Sequence, residues 1–298
     1  MTESGVFELE NPVAFRLAEK PAAVRIAGLA VIRASGADTL SFFDRVFTNR
    51  VSAIKDGAMI SGWADAKGRL IAAPQLVRAG EDALYLLVPR ETAEALMKKL
   101  RLYIFRSKVV LENVTEQVRP MALLGTAEGV GAALEKAGLS LSESAWGVVS
   151  AGGARAVRLP DAKDAVPFFT GAPVRVLVFA GPEAFEGVEN AGEALWWLSE
   201  IAAEVPSIFA GAVGKFVPQG VGLELFGGVS FNKGCYPGQE LISRVQHNKA
   251  KFGKGPAVIR TAEAVPAAGV DFGDKVAVLS VKAGSETFAF VQAPLAAD

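Results

Sequence analysis

Cys235 is the single cysteine and His247 the single histidine in 298 residues, and those two counts limit what can hold the chain together. No intrachain disulfide can form. A zinc site of four cysteines, or of two cysteines and two histidines, cannot be built from one chain. The fold must therefore rest on buried apolar surface, and 51% hydrophobic residues with a net charge of -1 describe a chain able to provide it. The length exceeds that of one ordinary domain, so two or three units are expected. A near-neutral charge balance lacks the basic footprint of a general nucleic-acid binder, although a local basic patch could still serve RNA, and no stable nucleic-acid binding is expected. Apolar runs such as Val176 to Ala180 stop far short of the ~20 residues that cross a bilayer, so no membrane partner is expected. The opening MTESGVFELENPVAF has neither the charge nor the apolar core of a targeting segment, and a cytoplasmic location is the expectation. A Ser-His-Asp triad would have to use His247, which lies in the polar stretch QHNKAKFGK and not in a strand-turn-helix elbow.

Periodicity predicts an α+β chain. A β-branched run from Val24 to Arg33 leads into a helix after Ser35-Gly-Ala-Asp38, with Leu40, Phe43 and Phe47 on one face. Strands are predicted at Ala58 to Ala64, Leu70 to Arg78 and Ala83 to Val88, the first two joined by the polar turn Asp65-Ala-Lys-Gly68. A helix from about Glu91 to Leu102 and a strand at Ser107 to Leu111 close the first module. The pattern restarts with strands at Met121 to Leu124, Ala154 to Leu159 and Val174 to Phe179, a helix around Val130 to Ala137, and another holding Trp196 and Trp197. Beyond Gly255 short apolar runs between Gly and Pro fit a small antiparallel β-barrel or sandwich. The units expected are residues 1–110 and 111–207 as two α+β modules, 208–250 as a segment packing back on them, and 251–298 as the β-rich tail.

The segment Phe231-Asn-Lys-Gly-Cys-Tyr-Pro-Gly-Gln-Glu-Leu-Ile-Ser-Arg-Val245 concentrates the chemistry. Pro237 suits the first turn of a helix, which would set Cys235 beside a helix N-terminus with the Lys233 ammonium close by, two effects that favour thiolate. Leu241, Ile242 and Val245 give that helix a buried side, and Glu240 can pair with Arg244 at i, i+4. Gly234 and Gly238 leave the backbone open around the sulfur. The competing reading is a small buried cysteine with solvated charges around it. Between Lys233 and Arg260 six cations face one acid, a local balance of +5, which could hold an anionic tail or form a solvated face.

Phe216-Val-Pro-Gln219, Gly228-Val-Ser-Phe-Asn-Lys-Gly-Cys-Tyr-Pro-Gly-Gln-Glu240 and Arg244 resemble the signature of the YgfZ family of folate-binding proteins, relatives of the glycine-cleavage T-protein. Phe42-Phe43 with Thr48-Asn49, the Asp65-Ala-Lys-Gly-Arg69 turn and Phe105-Arg-Ser-Lys-Val109 extend the resemblance over nearly the whole chain. Arg50 departs from it, standing where relatives often carry an acid, as do Gly222-Leu223 and Pro237. The resemblance implies a three-domain ring of two α+β modules and a C-terminal β-barrel, tetrahydrofolate or a one-carbon derivative at the central opening, and a role in assembling or repairing iron–sulfur clusters in enzymes such as those that thiolate tRNA. Iron–sulfur enzymes or assembly proteins are then the partners. The expected reactive group is Cys235, Lys233 and Glu240. The expected folate contacts are Asn49, Gln239 and Arg244, with Trp63 and Tyr236 as ring walls unless they are simply core. No metal site is expected. The alternative is a folate-dependent aminomethyltransferase of the T-protein type, with Cys235 structural.

Overall fold

Pro74 has no N–H to give a sheet, and the predicted strand from Leu70 to Arg78 breaks there. In the computed structural model, which describes residues 4–10, 21–55, 57–163, 173–180, 185 and 188–295, Leu70–Ala72 pairs with Trp63–Ala64 as a small separate ribbon. Gln75–Gly80 continues in the main sheet. That sheet runs Ala58–Ile60, Gln75–Gly80, Ala83–Pro89, Leu29–Ser35, Val110–Asn113, antiparallel throughout. Helices Thr39–Val46 and Ala93–Arg101 cover it. The buried side of the first helix is Phe42, Phe43 and Val46, rotated from the predicted face because Leu40 is only half-buried. Phe47 lies past the helix end in extended backbone, fully buried, its ring 4.7 Å from that of Phe43.

The apolar run Val24 to Arg33 is not one strand. It turns at Ala27-Gly28, where the Leu29 N–H meets the Ile26 carbonyl, and its halves enter different sheets. Leu29–Ser35 is in the first. Ala22–Arg25 lies in the second, whose order is Val148–Ala151, Ala154–Arg158, Val174–Phe179, Met121–Gly125, Ala22–Arg25, Glu189–Ala191, the last pair parallel. Val110–Asn113 conversely completes the first sheet. The apolar run thus links the two sheets through one short turn, while every ladder stays within its own sheet.

The second module carries helices Ala127–Lys136 and Glu193–Ala203. Thr126 caps the former, its Oγ1 accepting from the Gly129 N–H at 3.1 Å. The latter is buried all round, with Trp196 and Trp197 both sealed, as befits a helix enclosed on every side. The C-terminal sheet runs Val6–Leu9, Lys275–Ala283, Glu286–Pro294, Lys254–Thr261, with Asp271–Phe272 also on Lys275–Ala283. Val6–Leu9 joins in parallel from the far end of the chain. This corrects the expected barrel. Val6–Leu9 and Lys254–Thr261 remain at opposite edges, so among the described residues the sheet is open. Val278, Phe288 and Phe290 bury themselves against Trp196, Trp197 and their neighbours.

Gln75, Arg175 and Glu200 join the modules in the interior. Arg175, fully buried, donates to the Glu200 carboxylate, to Ser199 Oγ at 3.2 Å and to the Pro160 carbonyl at 3.0 Å. Gln75 Nε2 reaches the other Glu200 oxygen at 3.1 Å. Burial lowers the Arg175 pKa, opposed by nearby Asp161, and a guanidinium charged in the interior depends on these acceptors. Glu200→Ala is expected to cost ~3–5 kcal/mol in urea unfolding, because it strands a buried guanidinium, whereas Arg175→Met with Glu200→Leu recovers most of that loss.

Candidate functional site

The signature loop is stitched to the segment after the first helix. Thr48, fully buried, donates through Oγ1 to the Gly228 carbonyl at 2.6 Å and accepts from the Gly62 N–H at 2.8 Å. Its own carbonyl accepts from the Ser230 N–H at 2.9 Å. Arg50 donates to the Asn232 carbonyl, which gives a structural role to the residue that departs from the family pattern. Lys233 Nζ donates to the carbonyls of Phe47 at 2.6 Å and Asn49 at 2.8 Å, and lies 5.0 Å from the centre of the Tyr236 ring. Burial pushes the Lys233 ammonium down to about 8, partly offset by Asp44 and reinforced by Arg50.

Pro237 does not start the helix. The Gln239 N–H bonds the Tyr236 carbonyl at 3.2 Å, and Gly238 has φ 79 and ψ 1. That is a type II turn with proline and glycine in the positions it favours. The helix is Gln239–His247, with Gly238 as its N-cap. A β-turn therefore separates Cys235 from the helix end. Lys233, the other expected activator, spends its hydrogen bonds on Phe47 and Asn49; none to Cys235 is found among the described residues. Cys235 is exposed, which removes the reading as a buried hydrophobe. Glycine at 238 is demanded twice. Besides its positive φ, a Cβ there would stand 2.4 Å from the Asp65 carbonyl and 2.7 Å from Gly68 Cα. The Asp65-to-Arg69 turn, held by Asp65 Oδ1 accepting from the N–H groups of Lys67 and Arg69, is thus the seat on which the signature turn rests. Gln219, buried in the turn Pro218–Val221, donates to the Ile242 carbonyl at 2.9 Å and ties the helix down from its other side.

The structure gathers Cys235, Lys233, Tyr236 and Asn49 around one loop and strings Gln239, Glu240 and Arg244 along the following helix. Glu240 and Arg244 form the expected pair at 2.9 Å, both well exposed, and such a pair contributes only ~0.3–0.5 kcal/mol. The Asn49 amide is engaged locally, donating to the Ile60 carbonyl at 3.1 Å and accepting from the Arg50 N–H at 2.8 Å. Trp63 has no exposed surface and packs edge-on against Tyr103, ring centres 5.5 Å apart. Tyr236 is buried too; burial pushes its phenol up to about 12, and its hydroxyl has no hydrogen-bond partner among the described residues. In the basic run after the signature, the Lys249 side chain lies outside the described residues.

A folate needs a cleft with an aromatic or apolar wall, a carboxylate or amide for the pterin edge, and cations for its tail. With Trp63 and Tyr236 covered, the expected contacts do not form one. A cavity of about 650 Å³ lies elsewhere, between the two α+β modules. Its walls include Ile26, Leu29, Met121 and the stacked rings of Tyr85 and Phe179, 5.6 Å apart, and Glu116, Gln117, Arg25, Arg90 and Arg119 supply polar groups. Glu116 bonds Arg90 at 2.8 Å and Arg119 at 3.1 Å, and the Arg90 contact chiefly holds its carboxyl below the usual range. Size and donor set both suit a folate-sized anion. Sequence reasoning missed this cavity, because its residues come from distant segments and none stands in a recognisable motif. Among the described residues, no group of three or more His, Cys, Asp or Glu is placed to hold a metal ion.

No family model matches the chain. Its structure is similar to glycine cleavage system aminomethyltransferase T from Bartonella henselae, with a TM-score of 0.72 and 16% identity over 96% of this chain and 81% of that one. The chain has that multidomain α+β fold. Heterotetrameric sarcosine oxidase from Corynebacterium sp. U-96, at a TM-score of 0.35, 13% identity and coverage of 58% of this chain and 86% of that one, is too distant to bear on the fold. No helix among the described residues is long and apolar enough to cross a membrane.

Two outcomes follow from the loop geometry. Gly238→Ala is expected to cost at least ~2 kcal/mol in urea unfolding through positive-φ strain and the clash with the Asp65 turn. Gly234→Ala, with open space at its Cβ, serves as the neutral control. Because the folded pKa of Lys233 is about 8 against an ordinary value of 10.5, the unfolded chain binds more protons between those values. The Lys233 contribution to stability therefore rises with pH through that window. Unfolding measured across it should show the wild type gaining on Lys233→Met; parallel curves would contradict the lowered pKa.

Proposed function

We propose that this chain is a folate-binding protein of the YgfZ kind, acting in the cytoplasm in assembly or repair of iron–sulfur clusters, with Cys235 as its working sulfur. The observation that carries this reading is the exposure of Cys235 on a rigid loop. A lone thiol, presented by a turn that glycine and proline preset and that Thr48 and Lys233 anchor, is built to meet something outside the chain. With one cysteine the chain holds no cluster of its own, so the sulfur, as thiolate, either ligates a partner's iron or attacks the outer sulfur of a partner's persulfide, taking that sulfur and releasing the partner's thiolate. Lys233 positions the loop, Glu240 and Arg244 flank it, and Gln239 opens the helix behind it.

Reduced folate is assigned to the cavity between the modules. There Tyr85 and Phe179 offer a ring wall, Glu116 and Gln117 the pterin partners, and Arg25, the arginine left outside the Glu116 pairs, the cation for the tail. Bound folate would supply a one-carbon unit or a reduced pterin; the residues named hold and orient it.

A second reading, favoured by the fold shared with aminomethyltransferase T, is folate-dependent aminomethyl transfer with Cys235 structural. Calorimetric titration with tetrahydrofolate and a cellular iron–sulfur enzyme assay separate the two. Cys235→Ala is expected to bind tetrahydrofolate within ~2-fold of wild type, as suits an exposed residue outside the cavity, yet fail to support the cluster enzyme. A fully active Cys235→Ala would sink the first reading. Release of methylene-tetrahydrofolate from an aminomethylated lipoyl carrier would establish the second. Absence of any folate binding removes both.

A further inference from the structure

The stretch Lys98 to Lys108, KKLRLYIFRSK, contains five cations and no acid, in a chain whose net charge is -1. It ends the helix Ala93–Arg101 and leads toward the strand Val110–Asn113. Lys98, Lys99, Arg101, Arg106 and Lys108 are all exposed, and none of them forms an ion pair among the described residues. Between them stand large apolar side chains facing water: Leu102 is 79% exposed, Phe105 86% and Tyr103 44%. The core does not need them, because the helix buries Leu96, Met97 and Leu100 instead. Adjoining apolar side chains left this open on a folded surface, interleaved with five cations, mark a site of interaction rather than scattered exposure.

The patch is also pre-formed. Tyr103 and Ile104 continue the helix through N–H bonds to the carbonyls of Leu100 and Arg101. The Lys108 N–H donates to Asp38 at 2.7 Å, Arg45 donates to Ser107 Oγ at 3.2 Å, and Arg106 lies 5.5 Å from the Phe105 ring centre. A surface held this way gives up little entropy on binding.

We infer that this patch docks an acidic protein segment that carries exposed apolar side chains. Charge complementarity selects the acid: five unpaired cations favour a partner of opposite sign and repel a like one. The aliphatic Leu102 and the neighbouring Val110, 58% exposed, select protein over nucleic acid, since neither can stack on a base as an aromatic does. A chain of contacts through the core links the patch to the Cys235 loop. Tyr103 meets Trp63, Trp63 bridges Phe47, and the Phe47 carbonyl holds Lys233. That a docked partner is presented to Cys235 rests on the reading proposed above; the docking itself does not.

The test is fluorescence anisotropy of a labelled peptide of alternating glutamate with leucine and phenylalanine, titrated with the full chain at low and high salt. Wild type is expected to bind it, more weakly in salt. Arg101→Glu with Arg106→Glu should weaken binding by at least ~10-fold, and Phe105→Ser should weaken it as well. Cys235→Ala should change nothing. A peptide with lysine in place of glutamate should not bind. Circular dichroism verifies the fold of each variant, and should Phe105→Ser unfold the chain, Leu102→Ser reads the same contribution. The proposal is overturned if wild type does not bind the acidic peptide, if neither the charge-reversed nor the apolar variants weaken it, or if oligothymidylate or anionic phosphatidylglycerol vesicles bind this surface as tightly. Failure of folate binding leaves the peptide result standing, so the two readings fail separately.

Discussion

The Lys233 ammonium, set against the carbonyls of Phe47 and Asn49, is the contact on which the presentation of the signature depends. Phe47 and Asn49 follow the end of the helix Thr39–Val46, and the cation gathers the carbonyls of this connecting segment. The same contact draws Lys233 out of water, which is why its pKa falls to about 8. Around it Thr48 ties Gly228, Ser230 and Gly62 together, and Arg50 grips Asn232. The loop is therefore fixed from the first module, while its sulfur stays outside.

Rigidity continues into the helix through backbone proximity rather than side-chain packing. Gly68 and Gly238 both have positive φ and approach each other so closely that a Cβ on Gly238 has no room. Gln219 holds the far side by the Ile242 carbonyl. A sulfur displayed on such a support is preset for an external reactant. The cavity proposed for folate lies between the modules and is lined by neither Cys235 nor Lys233. Thiol and cavity thus serve separate steps in the function proposed.

Much of the architecture was legible in the residues. The helix carrying Trp196 and Trp197, the strands Ala154–Arg158 and Val174–Phe179, and the helix ending near Leu102 fall where periodicity places them. Errors arose where a pattern of alternating apolar residues had two interpretations. Val24 to Arg33 reads as one strand because the pattern is the same on any sheet; only the turn at Ala27-Gly28 and the available partners send its halves to different ones. Pro237 is acceptable in a first helical turn and in a type II turn alike, and the seat offered by Gly68 decides between them.

From the sequence alone came the absence of any staple, an α+β chain in more than one unit, and a glycine-flanked cysteine as its chemical focus. These are properties of composition and local spacing, which act on residues near in the chain. Tertiary structure decided the division of Val24 to Arg33 between two sheets, the open C-terminal sheet joined by Val6–Leu9, the exposure of Cys235 against the burial of Trp63 and Tyr236, and the cavity walled by Tyr85 and Phe179. It decided too that Lys233 answers two backbone carbonyls. Every peptide unit carries a carbonyl, so no residue type announces which one a distant ammonium will find.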